Sequence, residues 1–462
     1  MRALTFARPL GFLVLGIVAA LAAPVTAQQS NDMAQAGWDL MTGSPEQHRA
    51  GINAIVARNN PDMIPTLILA MRFRRTEAGA LSRSAAAITG ARGTGWFDWM
   101  LWQEQHPEFP AHESYASLKL AVFAKLDPNF LRFLKPESVN PADMKIRLEE
   151  ITWGGVVVDG IPALDNPELI AADDAEYLRG DDLVFGVEIN GDARAYPLRI
   201  MGWHEMFNDV IGGVPVALAY CTLCGAGILF ETGGIEGQAA PLIFGSSGFL
   251  YRSNKLMFDR QTDSLWNQFT GEPVVGPLVH SGIKLKQRPV VITSWDNWKA
   301  GNPGTRVLSL ETGHRRDYGS GVVYDDYFAS PDLMFPAIVD QTRLRQKDYV
   351  FGVRFPLYSK AWPVSVFADG QVLNDAIGPT PLVLIGDAET RTVRAYKRGK
   401  LRFSKGIDSG EIVDAEGNTW RVEENALIGP AGIQAPRVAG HVAYWFAWDG
   451  YLGVKSELYS AR

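Results

Sequence analysis

The two cysteines of the chain, Cys221 and Cys224, stand three positions apart in Tyr220-Cys-Thr-Leu-Cys-Gly225. Thiols at that spacing can converge on one metal ion, cycle between dithiol and disulfide, or close an inert bridge. Val214 to Tyr220 and Ala226 to Glu231 read as strands on either side. The pair therefore belongs to a hairpin turn and not to a helix start, whose dipole would stabilise a thiolate. Strand, Cys-x-x-Cys-Gly, strand is the pattern of a metal knuckle, in which the glycine lets backbone N–H groups turn toward the sulfurs. A closed site needs four ligands, and one knuckle supplies two.

Histidine is the obvious supplier of the rest. His204, in Gly202-Trp-His-Glu-Met-Phe-Asn208, comes shortly before the cysteine hairpin. The segment begins like a zinc-protease helix but carries Asn208 where the second histidine would fall, which excludes that chemistry. Two thiolates and one imidazole form a soft donor set that suits copper(I) first and zinc next. Met206 or Met257 could add a thioether. His280, His314 and His441 lie in the same strand-rich part, whereas His48, His106 and His112 lie in the helical part and are expected at its surface.

Two further segments attract notice. Arg252, Asp259 and Arg260, in Tyr251-Arg-Ser-Asn-Lys-Leu-Met-Phe-Asp-Arg260, mix charge with aromatic residues and are expected to line a polar pocket. Arg315-Arg-Asp-Tyr318 is a weaker case of the same kind. Gly245-Ser-Ser-Gly248 is not Gly-x-Ser-x-Gly and reads as a tight turn.

The elements that must position these residues change character along the chain. With 462 residues, two or three domains are expected. Residues 1–27 have the charged, apolar, small-residue order of a signal peptide cut after Ala27, which implies a periplasmic or secreted protein. Residues 28–145 read as a helical, repeat-like module: Ser44-Pro45-Glu46 is a helix start, and Trp96, Trp99 and Trp102 share one helix face. Residues 146–375 read as a strand-rich domain, with Asn190-Gly191 supplying the positive φ angles of a tight hairpin. Residues 376–462 form a strand-rich extension expected to pack on it. The fold class is α+β. A net charge of −7 argues against nucleic-acid binding. No segment after the signal is apolar for long enough to form a stable membrane span.

Ala195-Tyr-Pro-Leu-Arg199, Trp203-His-Glu205, Asn208-Asp209, Ile211-Gly-Gly-Val-Pro215, Tyr220-Cys-Thr-Leu-Cys-Gly225, Met257-Phe-Asp-Arg-Gln-Thr262 and Trp295-Asp-Asn-Trp298 together resemble the domain-of-unknown-function family numbered 3179, over roughly residues 150 to 370. The resemblance implies an exported prokaryotic protein and carries no settled activity. It places the family's Trp-His-Glu on Trp203, His204 and Glu205, and its Cys-x-x-Cys-Gly on Cys221, Cys224 and Gly225, with Thr222 where a proline is common. Two readings follow. In one, Cys221, Cys224 and His204 hold a metal, copper before zinc, or work as a thiol-dependent oxidoreductase, with Glu205, Arg252, Asp259 and Arg260 completing a catalytic set around a small-molecule substrate. In the other, the protein is a non-catalytic envelope binding or scaffold protein: the cysteines are a structural disulfide and the helical module recruits a protein partner.

Overall fold

The computed structural model of the protein describes residues 22–408 and 410–460. Residues 1–21 of the expected signal peptide lie outside the described residues, and the expected cut after Ala27 falls within the helix Ala22–Thr42. The chain divides into two compact units. The described residues up to 96, with 107–119, form one. Residues 97–106 and those from 120 onward form the other.

The first unit is helical, and its local chemistry follows the sequence. Ser44 caps the helix Pro45–Arg58, Pro45 opens it, and Gln47 closes a reciprocal capping box. The helix Ile64–Phe73 is buried along nearly its whole length, as its unbroken apolar run requires. His48 and His112 are not at the surface: both are buried, His48 against Glu77 and the Leu40 carbonyl, His112 against Ser114. His48 shares the face of its helix that buries Gly51 and Ile55, and His112 lies in the loop before the helix Tyr115–Leu126.

The second unit is strand-rich. Strands Leu183–Ile189 and Asp192–Pro197 pair across Asn190-Gly191, both at positive φ. The sheet that carries the cysteines runs in the order Gln287–Arg288, Ala226–Glu231, Val214–Cys221, Met206–Ile211, Leu164–Asp165. A second sheet pairs Gly440–Tyr444 with Tyr349–Arg354, and that strand with Ser359–Pro363. The Trp448 ring, from the helix Trp445–Leu452, packs onto this sheet at Gly352, in the volume that a Cβ would fill. Residues near the C-terminus thus complete a sheet begun a hundred residues earlier. An eight-stranded sheet takes most of residues 371–438.

The Gly245–Gly248 stretch is not a turn. It lies in the strand Phe244–Tyr251, where Gly248 at φ +81° accommodates a bulge opposite Leu256. Among the described residues, no helix is long and apolar enough to cross a membrane.

Candidate functional site: a disulfide turn beside a tyrosine-lined cleft

Cys221 ends one strand and pairs with Ala226 at the start of the next, leaving Thr222 to Gly225 as the loop. The Cys224 and Gly225 N–H groups donate back to the carbonyls of Cys221 and Thr222, and Gly225 adopts φ +59°. A Cβ there would stand 3.0 Å from the Tyr349 ring, so only glycine fits on both counts. The cysteines are joined by a disulfide and are buried, at 2% and 0% exposure.

Every side of this turn is held. The Tyr444 N–H donates to the Cys224 carbonyl at 2.8 Å, and the Tyr327 hydroxyl donates to the Leu223 carbonyl at 2.7 Å. From below, Glu205 accepts from the Thr222 hydroxyl at 2.7 Å and from Lys255 Nζ at 3.0 Å, and all three residues are buried. Glu205 is aimed there by the helix Leu198–His204, which ends as Glu205 takes a left-handed conformation. Its own carbonyl accepts from the Tyr220 N–H at 2.7 Å.

His204 is not directed at the cysteines. Its Nδ1 faces the Pro162 carbonyl at 2.9 Å and its Nε2 faces the Tyr318 hydroxyl at 2.6 Å. A carbonyl can only accept, so Nδ1 carries the proton and Nε2 accepts from Tyr318. Burial holds the imidazole neutral and pushes its pKa down to about 4. The same helix sends Arg199 to the Tyr318 and Tyr177 carbonyls and Trp203 to the Asp317 carbonyl. Among the described residues, no group of three histidine, cysteine or acidic side chains is placed to hold a metal ion. Met206 and Met257 are both core residues.

The charged residues from Arg252 to Arg260 each have a separate partner. Arg252 Nε donates to Glu150 at 2.7 Å, and Arg260 forks onto Asp159 at 2.8 and 3.2 Å. Asp259, fully buried, accepts from the Thr262 N–H and hydroxyl and from Trp266 Nε1, which fixes the turn after its strand. Arg252 lies in the turn before the strand Asn254–Asp259 and Arg260 just after it, so each finds its carboxylate on a different segment, and that scatter is invisible in a linear reading.

Beside the disulfide turn lies a cleft of about 530 Å3, a volume typical of small-molecule sites. Tyr220, Tyr349, Tyr444, Lys347 and Arg391 form one wall, and Asp181, Asp182 and Asp325 belong to the rest of the lining. Tyr349 and Tyr444 stack with ring centres 4.5 Å apart. The Tyr349 hydroxyl donates to that of Tyr444 at 3.0 Å and accepts from Arg391 at 2.7 Å. Burial raises the pKa of Tyr444 and Tyr220, so both keep their protons. Lys347 Nζ lies 3.6 Å from the Tyr327 ring centre, and its pKa is lowered by burial. Sequence reasoning missed Tyr349, Lys347 and Arg391, since none sits in a motif. Tyr220, beside Cys221 in the Cys-x-x-Cys segment, is the member of this wall that the sequence singles out.

Fold and site together define an α+β protein with a buried disulfide turn built into the wall of a polar aromatic cleft. The chain belongs to the family described as "Protein of unknown function (DUF3179)", whose model matches residues 158–454. The match runs well past residue 370, in keeping with the C-terminal strands that complete the second sheet. No curated protein and no solved structure matches the chain.

Proposed function

We propose that the protein is an exported ligand-binding protein of the cell envelope, in which the Cys221–Cys224 disulfide is a clasp for the wall of the tyrosine-lined cleft. The observation that carries this reading is the way the turn is held. Tyr444, which lines the cleft, donates its backbone N–H to the Cys224 carbonyl, and Tyr327, which packs under Lys347, donates its hydroxyl to the Leu223 carbonyl between the two buried cysteines. A bridge enclosed in this manner presents no sulfur to an incoming thiolate. The same enclosure leaves the two sulfurs and His204 poorly fitted to copper or zinc, since the thiolates are consumed and both imidazole nitrogens are engaged. The helical unit would then serve as a docking module for a protein partner. Native mass spectrometry of the full chain against a small-molecule extract tests the reading: a retained small molecule that Arg391→Gln releases supports it.

A second reading, thiol exchange, is favoured by one observation. The Glu205 carboxylate, paired with Lys255, touches the residue between the cysteines and could accept a proton from a reduced thiol. Trapping of free thiols in the folded protein separates the two readings.

A further inference from the structure

The charges that line the cleft are of two kinds, and apart from the Arg199–Asp182 ion pair they do not meet. Arg391 stands over the Tyr349 ring at 4.8 Å and gives one N–H to its hydroxyl, which leaves further guanidinium donors. Asp182 is consumed by the Arg179 N–H, by Arg199 and by the Ser320 hydroxyl. Asp181 and Asp325 are exposed, and neither has an ion-pair partner among the described residues. Arg391 likewise forms no ion pair among them, although the same unit pairs its arginines freely elsewhere, as at Arg194, Arg394 and Arg437. Opposite charges that share a cleft close on one another when they can reach. Here the stacked tyrosines hold Arg391 in place by its bond to Tyr349, and the carboxylates remain on separate segments.

We infer that the cleft takes a small zwitterion, an amino-acid-like ligand whose carboxylate meets Arg391 and whose ammonium meets Asp325 and Asp181. The inference rests on the ligand-binding reading above. An arginine with spare donors recognises a carboxylate in a planar fork, and the Tyr444 hydroxyl, which accepts from Tyr349 and keeps its own proton, adds a donor. At the other end, two carboxylates without cations attract an ammonium. The ligand joins two charge clusters that the fold keeps apart. A purely anionic ligand would leave Asp181 and Asp325 repelling it, and a purely cationic one would meet the same opposition from Arg391 and Lys347.

Isothermal titration of the full chain with each common L-amino acid, its N-acetyl form and its decarboxylated amine tests this. At least one free amino acid is expected to bind, with both blocked forms weaker by about tenfold or more, the loss that follows from one unmade charge-assisted contact. Arg391→Gln should weaken the free amino acid without changing the already weak amine, and Asp325→Asn should do the converse with the N-acetyl form. Equal binding of a blocked form and its parent overturns the zwitterion inference but leaves the cleft reading in place, provided that Arg391→Gln abolishes it. No binding by any form also overturns the inference. The cleft reading then falls only if native mass spectrometry finds no retained molecule either.

Discussion

Glu205 accepts a hydrogen bond from Thr222 at 2.7 Å, inside the loop closed by the only disulfide of the chain. One buried carboxylate thereby ties the end of a helix to the turn that carries both cysteines. Lys255 neutralises it at 3.0 Å from the other side. Removing one partner of such a pair leaves an uncompensated buried charge, so Lys255→Met should destabilise the fold by about 3–5 kcal/mol. Glu205→Gln combined with Lys255→Met should recover most of the loss. Urea denaturation of the single and double variants measures this.

The His204–Tyr318 contact predicts an acid-sensitive contribution. His204 titrates near pH 4 in the fold, below the ordinary histidine value of 6.5. Between those values the unfolded chain binds a proton that the folded chain does not. The contribution is therefore complete above pH 6.5 and is lost as the pH falls toward 4. His441, pushed down to about 3 by burial, acts in the same direction. The difference in stability between wild type and His204→Gln, measured from pH 7 to pH 4, should shrink as the pH falls. Tyr318→Phe leaves Nε2 unsatisfied and should cost about 1–3 kcal/mol at neutral pH.

A group far from the cleft predicts the opposite slope. Glu104 is buried near Glu150, and its pKa is raised to about 8, first by burial and then by that neighbouring carboxylate. Its ordinary value is 4.5. Between pH 4.5 and 8 the unfolded chain releases a proton that the fold retains, so this group makes stability fall as the pH rises. Glu104→Gln should flatten the alkaline side of the stability curve, as thermal unfolding at pH 5 and pH 8 will show.

Metal binding gives a further independent check. The folded full chain, titrated with copper(I) or zinc under anaerobic conditions in the presence of a reductant, should take up no stoichiometric metal. Uptake of one equivalent that is lost in both Cys221→Ser and His204→Gln would restore the metal reading.

Local chemistry was the most legible part of the sequence. Ser44-Pro45, Asn190-Gly191 and the strands around the cysteines each depend on neighbours within a few positions, and the structure has them where the pattern implies. The Gly245–Gly248 stretch misled because glycine serves a bulge as readily as a turn. Proximity in sequence also misled for His204: its helix ends at Glu205, and the left-handed residue there turns Glu205 toward the cysteines while His204 meets Tyr318. The cleft wall draws on Tyr220, Tyr349, Arg391 and Tyr444, which are scattered over more than two hundred residues of the chain. Strand pairings of that separation leave no local signature. They become visible only once Tyr349 and Tyr444 are seen to be register partners.

The state of the two cysteines in the folded protein is the most direct test of the account. Bridging so short a loop is worth about 2 kcal/mol by chain entropy, so Cys221→Ser with Cys224→Ser should lower the melting temperature and weaken cleft binding together. The decisive measurement is alkylation followed by mass spectrometry, with the native full chain held in dithiothreitol and sampled below and through its unfolding transition. The account predicts that Cys221 and Cys224 stay bridged and unlabelled until the chain unfolds. Labelling of both while the fold and its cleft ligand are retained would contradict it and make thiol exchange the function.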